Sequence, residues 1–215
     1  MMKEETKIES RWLLAVEGQD ERNFFEAMLR QLGIQGVQLA DIGGKDKFKA
    51  KFSTLYNLAG FQKVRSLGFV RDAEDKEANA AFSSICSILK KYALPIPNAV
   101  NTVIEGKNNK GKNIRIGIFI MPNNADRGML EDLCLESAQG EPVFDCVDRY
   151  LDCCLSALPE NERPRNYAKA KVQTYLAARK EIVNSLGVGA RKGYWNLDHN
   201  CFEDIKRFLR ILFAE

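Results

Sequence analysis

The chain has 215 residues, enough for one domain of ordinary size carrying a substantial appendage. Its 45% hydrophobic and 28% charged content is that of a soluble globular protein, and no apolar run approaches the ~20 residues needed to span a bilayer, so no membrane partner is expected. A net charge of +3 is too slight to identify a nucleic-acid partner by itself, and six cysteines without a Cys-x-x-Cys pair, beside a single histidine, argue against a zinc-finger or disulfide framework.

Taken in order, the start Met1-Met-Lys-Glu-Glu-Thr-Lys-Ile-Glu9 is charged and lacks the apolar stretch of a secretory signal, which makes the cytoplasm the expected compartment. Trp12 to Val16 reads as a strand, and Asp20 to Leu32 as a helix with Phe24, Phe25, Met28 and Leu29 on one side. Asp20 is the expected N-cap, and Gly33 the stop. Val37 to Ile42 follows as a strand, Gly43-Gly44 as a turn, and Lys45 to about Leu58 as a helix. Val64 to Val70 and Ala78 to Tyr92 repeat the unit. Strands separated by helices of this length imply right-handed crossovers and a mainly parallel sheet.

Beyond Pro95 and Pro97 the pattern changes. Asn101 to Glu105 and Ile114 to Met121 flank a polar tip holding Lys107, Lys110 and Lys112, which predicts a β-hairpin or a loop between strands, its tip a solvated loop or, alternatively, a phosphate-contacting finger. From Gly128 onward the chain reads as helical, over Met129 to Glu136, Val143 to Leu158, Asn166 to Ala178 and Phe202 to Phe213. Gly187, Gly189 and Gly193 punctuate the stretch before Trp195, and Tyr194 and Trp195 read as anchors of the C-terminal helices. His199, in Asp198-His-Asn200, reads as a helix cap, and the cysteines as reduced, buried thiols.

Acidic residues sit where apolar strands end. Glu17 closes Leu14-Ala-Val and opens through Gly18 into a helix, with Glu21 one turn on. Asp72 and Glu74 follow Gly68-Phe-Val-Arg71, and Glu131 lies in Gly128-Met-Leu-Glu-Asp132. Carboxylates at the ends of parallel strands converge at the carboxyl edge of the sheet, where open α/β folds hold ligands. An acid-x-acid step in extended backbone points both carboxylates the same way, which suits a hard cation such as Mg2+ (or Mn2+). Asp75 is an alternative second ligand, and Glu74-Asp-Lys-Glu77 also reads as an acidic first helical turn. Lys45, Arg71 and Lys169 are the basic candidates for phosphate contact.

This set resembles the Toprim domain shared by topoisomerases, bacterial-type primases, recombination repair proteins and the nucleases of the overcoming-lysogenization-defect group. Glu17 with Glu21 is similar to the first motif of the nuclease branch, Asp72 with Glu74 to its aspartate pair, Glu131 to its later acid, and Gly43-Gly44-Lys45 to its glycine-rich turn. Met121-Pro-Asn-Asn124, Gly128 to Leu133 and Lys192-Gly-Tyr-Trp-Asn196 resemble, more closely, a bacterial Toprim-like family of unassigned function. The resemblance implies an α/β, Toprim-like core over residues 1–135, with a mainly parallel central sheet flanked by helices, and a helical C-terminal extension over 136–215. It implies a nuclease acting on nucleic acid, with Asp72, Glu74 and Glu131 as metal ligands and Glu17 and Glu21 as acid/base groups or ligands. Lys169, or Lys171, would lie near the scissile phosphate. Glu74 departs from the aspartate of the pattern, and its longer side chain would shift any metal. The alternative is a non-catalytic module that binds nucleic acid, a nucleotide or a protein partner; homo-oligomerisation stays open. No Gly-x-x-x-x-Gly-Lys-Ser/Thr loop is present.

Overall fold

Five apolar segments pair into one sheet in the order β2-β1-β3-β5-β4. They are β1 (Trp12–Val16), β2 (Val37–Asp41), β3 (Ser66–Asp72), β4 (Thr102–Lys107) and β5 (Asn113–Met121). All pair in parallel except β4, which runs antiparallel to β5 as the first arm of a hairpin. The computed structural model describes residues 7–44, 47–74, 78–124 and 127–214. Lys45, a candidate for phosphate contact, and Asp75, the alternative ligand beside Glu74, lie outside them. The helices are α1 (Gln19–Gln31), α2 (Phe48–Asn57), α3 (Ala78–Lys91), α4 (Leu130–Ser137), α5 (Pro142–Ala157), α6 (Tyr167–Ala177), α7 (Leu186–Arg191) and α8 (Glu203–Leu212). No helix among the described residues is long and apolar enough to cross a membrane.

Alternation along the strands divides the core in two. Leu14, Val16, Val70 and Phe119 face one apolar cluster, which they share with α1 and with side chains from α4 through α8. Leu13, Ala15, Phe69 and Ile118 face the other, shared with α2 and α3. Helices on both faces explain why β3 and β5 read as nearly unbroken apolar runs. The C-terminal helices therefore complete one face of the sheet. α8 lies directly on it, over the paired glycines Gly68 and Gly117. A Cβ on Gly68 would stand 2.5 Å from Leu212, and one on Gly117 2.7 Å from the Phe208 ring.

Several sequence expectations change on contact with the fold. β3 runs on to Asp72, two residues past the expected end. The glycine-punctuated stretch holds the short helix α7, whose glycines permit close packing. Cys134 is buried, but Cys146 and Cys153 are exposed on α5, so the cysteines are not uniformly interior thiols. Trp195 does anchor the C-terminal helices: it is buried, stacks on Tyr175 at 4.9 Å between ring centroids, and donates from Nε1 to the Leu186 carbonyl at 2.9 Å.

Candidate metal centre

The strand order places the switch point between β1 and β3. From β1 the chain leaves through α1 toward β2, then returns through α2 to β3 on the other side. Crossovers that part in this way leave a crevice at the carboxyl ends of the two strands. Glu17 follows the last residue of β1, and Asp72 is the last residue of β3. Glu21 lies on the first turn of α1 and Glu131 on the first turn of α4.

A short hydrogen-bond chain fixes three of these elements together. Glu17 Oε1 accepts from the Arg71 guanidinium Nε at 3.1 Å and from the Asp72 backbone N–H at 3.3 Å. Asp72 Oδ1 in turn accepts from the backbone N–H of Leu130 at 3.2 Å, one of the orphan donors at the start of α4. Asp132 Oδ2 accepts from Met129 N–H at 2.8 Å and holds the same helix end. Asp72 thus caps the helix that carries Glu131, and β1, β3 and α4 are tied at one point.

Each carboxylate feels its neighbours. Burial, reinforced by the charges of Glu17, Glu21 and Glu131, pushes Asp72 well above the usual carboxylate range. Burial, with the charges of Glu17, Asp20 and Glu131, pushes Glu21 up to about 7. Burial also raises Glu131, against the opposing charge of Lys169. Burial raises Glu17 as well, although the Arg71 charge and hydrogen bond work against it. Among the described residues no three of these four bring ligand oxygens within 4.8 Å of one another, a spacing in keeping with their mutual repulsion. The arrangement is a group of four carboxylates drawn from β1, α1, β3 and α4 at one edge of the sheet.

The remaining candidates lie differently. Glu74 is exposed, and its φ of 57° breaks the extended backbone that would aim it alongside Asp72. Its peptide instead exchanges hydrogen bonds with Gly128, at 2.9 and 3.0 Å. Arg71 is 4% exposed and turned onto Glu17, with its guanidinium 5.0 Å from the Phe48 ring centroid; it is an anchor for Glu17, held away from any incoming phosphate. Its Nη1 is buried, with no hydrogen-bond partner among the described residues. Lys169, on α6, brings Nζ to 3.9 Å from Glu131 Oε1, and Asn166 caps that helix by accepting from the Lys169 N–H at 2.8 Å. Lys171 pairs with Asp148 on α5. Asp20 does not cap its own helix, where Gly18 holds the N-cap position. Its Oδ1 instead accepts from the Ser185 hydroxyl and from the Gly187 N–H at 3.2 Å, at the start of α7.

Beside the centre a cleft of about 360 Å³ opens between Glu74, Gly128 and Met129 on one side and the start of α6 on the other. Arg127, Arg165 and Tyr167 line it. Neither arginine is legible in the sequence, because an isolated exposed arginine in a loop carries no spacing signal.

The family described as "Protein of unknown function (DUF3226)" matches residues 11–214. No curated protein matches the chain in sequence. Among solved structures, the chain is similar to the C-terminal region of the Burkholderia pseudomallei OLD protein, at 14% identity and a TM-score of 0.52, over 96% of this chain and 100% of that one. It is also similar to the C-terminal region of the Xanthomonas campestris pv. campestris OLD protein phased with mercury, at 13% identity and a TM-score of 0.47, over 95% and 97%. At these identities the likeness speaks for the fold alone, and the Burkholderia structure carries it.

Proposed function

The chain belongs to the DUF3226 family, and we propose that its carboxylate centre performs divalent-metal-dependent phosphodiester hydrolysis on nucleic acid, in the manner of a Toprim-type nuclease. The observation that carries this reading is the gathering of Glu17, Glu21, Asp72 and Glu131, from four elements, at one sheet edge, where the Asp72 N–H donates to Glu17 and the Leu130 N–H to Asp72; burial raises all four, and the charges of the set add to it at Asp72 and Glu21. Half-buried acids that share a strand-end crevice repel one another when ionised, and a cation would offset that repulsion. Oxygen donors alone, without sulfur or imidazole, suit Mg2+ (or Mn2+).

Glu17, Asp72 and Glu131 are the residues that would hold the ion, with Glu74 at the rim toward the cleft. Bound there, the metal supplies neutralisation of phosphate charge and a bound water of lowered pKa. The chain's own groups do the rest. Arg71 orients Glu17 and opposes the upward pull of burial on it. Glu21, raised to about 7 while no ion is bound, suits a proton donor or acceptor. Lys169 sets a positive charge beside Glu131. Arg127 and Arg165 in the adjacent cleft are better placed than Arg71 to take substrate phosphates.

The exposed, turned-out Glu74 favours a second reading, a non-catalytic module that binds nucleic acid, a nucleotide or a protein partner through the same edge. Cleavage assays on single- and double-stranded DNA and RNA oligonucleotides with Mg2+ or Mn2+ decide between them. Wild type should cleave at least one class and Asp72→Ala none. Equal background from both would exclude hydrolysis of those substrates, and calorimetric Mg2+ binding without cleavage would support the module.

A further inference from the structure

Glu136, His199 and Cys201 stand apart from the carboxylate centre and come from two segments. Glu136 lies on the last turn of α4, and His199 and Cys201 flank Asn200 at the start of a 3-10 turn (Asn200–Phe202) that leads into α8. One ligand atom from each, a carboxylate oxygen, an imidazole nitrogen and a thiol sulfur, lies within 4.8 Å of the other two. A cavity of about 370 Å³ opens over Glu136 and Cys201, with Pro122, Asp132 and Glu203 also on its wall. We propose that these three residues form a second metal site, selective for Zn²⁺ and ions of its class, which clamps α4 to the segment before α8.

The donor set makes the selection. Thiolate and imidazole suit zinc and cobalt, whereas magnesium and manganese prefer oxygen and go to the carboxylate centre. Three protein ligands leave the fourth tetrahedral position to water, for which the cavity has room. The neighbouring acids are otherwise engaged: Asp132 holds the start of α4, and Glu203 pairs with Lys206 at 2.8 Å. Metal uptake exchanges two weak contacts. The Cys201 thiol donates to the Leu133 carbonyl at a long 3.5 Å, and its proton passes to solvent when the sulfur ligates. His199 Nδ1 accepts from the Cys201 N–H at 3.2 Å, and use of either ring nitrogen as the ligand gives up that cap. α4 carries Glu131 five residues before Glu136, about 7.5 Å along its axis, so an ion at Glu136 also stiffens the helix that presents Glu131.

The test is a Co²⁺ and Zn²⁺ titration of the full chain, stripped of metal, under reducing conditions and in excess Mg²⁺ so that the carboxylate centre does not compete. Wild type should develop a thiolate-to-cobalt charge-transfer absorption that saturates at one equivalent, and Zn²⁺ should abolish it. Cys201→Ser should remove the band, and His199→Gln and Glu136→Gln should each weaken binding by at least about 100-fold, beyond the loss typical of outer-shell partners. Asp72→Asn should leave the band in place, which separates this site from the proposed nuclease centre. Circular dichroism confirms that each variant folds. Absence of the band in wild type, or an undiminished band in folded Cys201→Ser, would overturn the proposal.

Discussion

Arg71 shows how a residue on a parallel strand can look like a ligand-binding group and serve another purpose. It precedes Asp72 at the carboxyl end of β3, so sequence position alone offers it to phosphate, yet its side chain is 4% exposed and spent on Glu17. A buried ion pair is costly to break from one side, because the surviving charge stays desolvated. Arg71→Met should therefore destabilise the fold by about 3–5 kcal/mol, read from the midpoint of urea denaturation. Arg71→Lys should recover only part of that, since an ammonium does not reproduce the planar guanidinium that reaches Glu17 through Nε and lies 5.0 Å from the Phe48 ring centroid. A midpoint unchanged in Arg71→Met would mean that Glu17 is held by something else. Glu74 makes the converse case. Its φ of 57° and exposed side chain place it at the rim, so Glu74→Ala should weaken Mg²⁺ binding far less than Asp72→Asn, whose loss should exceed about 100-fold, beyond the range typical of a group that only orients metal ligands. Calorimetry on the two variants ranks them, and equal losses would return Glu74 to the centre.

At the scale of elements, the strand and helix alternation was legible because apolar runs and helical spacing are local. β1 emerges as expected at Trp12–Val16, and Glu17 and Asp72 fall at strand ends as the apolar runs imply. What escaped depends on partners distant in sequence. Asp20 has the position of a local cap, but its carboxylate serves Ser185 and Gly187, 165 and 167 residues away. Glycine spacing read as punctuation in α7 is in fact a packing surface, and no ligand spacing could join Glu136 to His199 and Cys201 across 63 residues. The α7 contact can be tested directly. A Cβ on Gly187 would stand 2.1 Å from the Asp20 carbonyl oxygen, so Gly187→Ala has to lift α7 from α1. Overpacking of this kind costs about 1–3 kcal/mol, to be read as a lower denaturation midpoint. An unchanged midpoint would show that α1 and α7 slide past each other without loss.

Over the whole molecule, four raised carboxylates at one edge make stability depend on pH and on cations. A carboxylate whose folded pKa is raised stabilises the fold fully below its unfolded pKa, and that contribution is lost as pH rises through the folded value. For Glu21 the window runs from 4.5 to about 7, and Glu17, Asp72 and Glu131 shift in the same direction. In chelator, urea denaturation should therefore show stability falling between pH 5 and 7.5, with Glu21 alone contributing up to about 3 kcal/mol. Asp72→Asn removes one charge from the set and should flatten the slope. Divalent cation acts in the opposite sense, since it binds the ionised, folded edge: at a hundredfold excess over its dissociation constant it should restore about 2.7 kcal/mol at pH 7.5, and progressively less toward pH 5 as protons take its place. Stability that rose with pH in chelator would be incompatible with four carboxylates sharing this edge. A cation effect that grew toward pH 5 would place the binding on groups other than these.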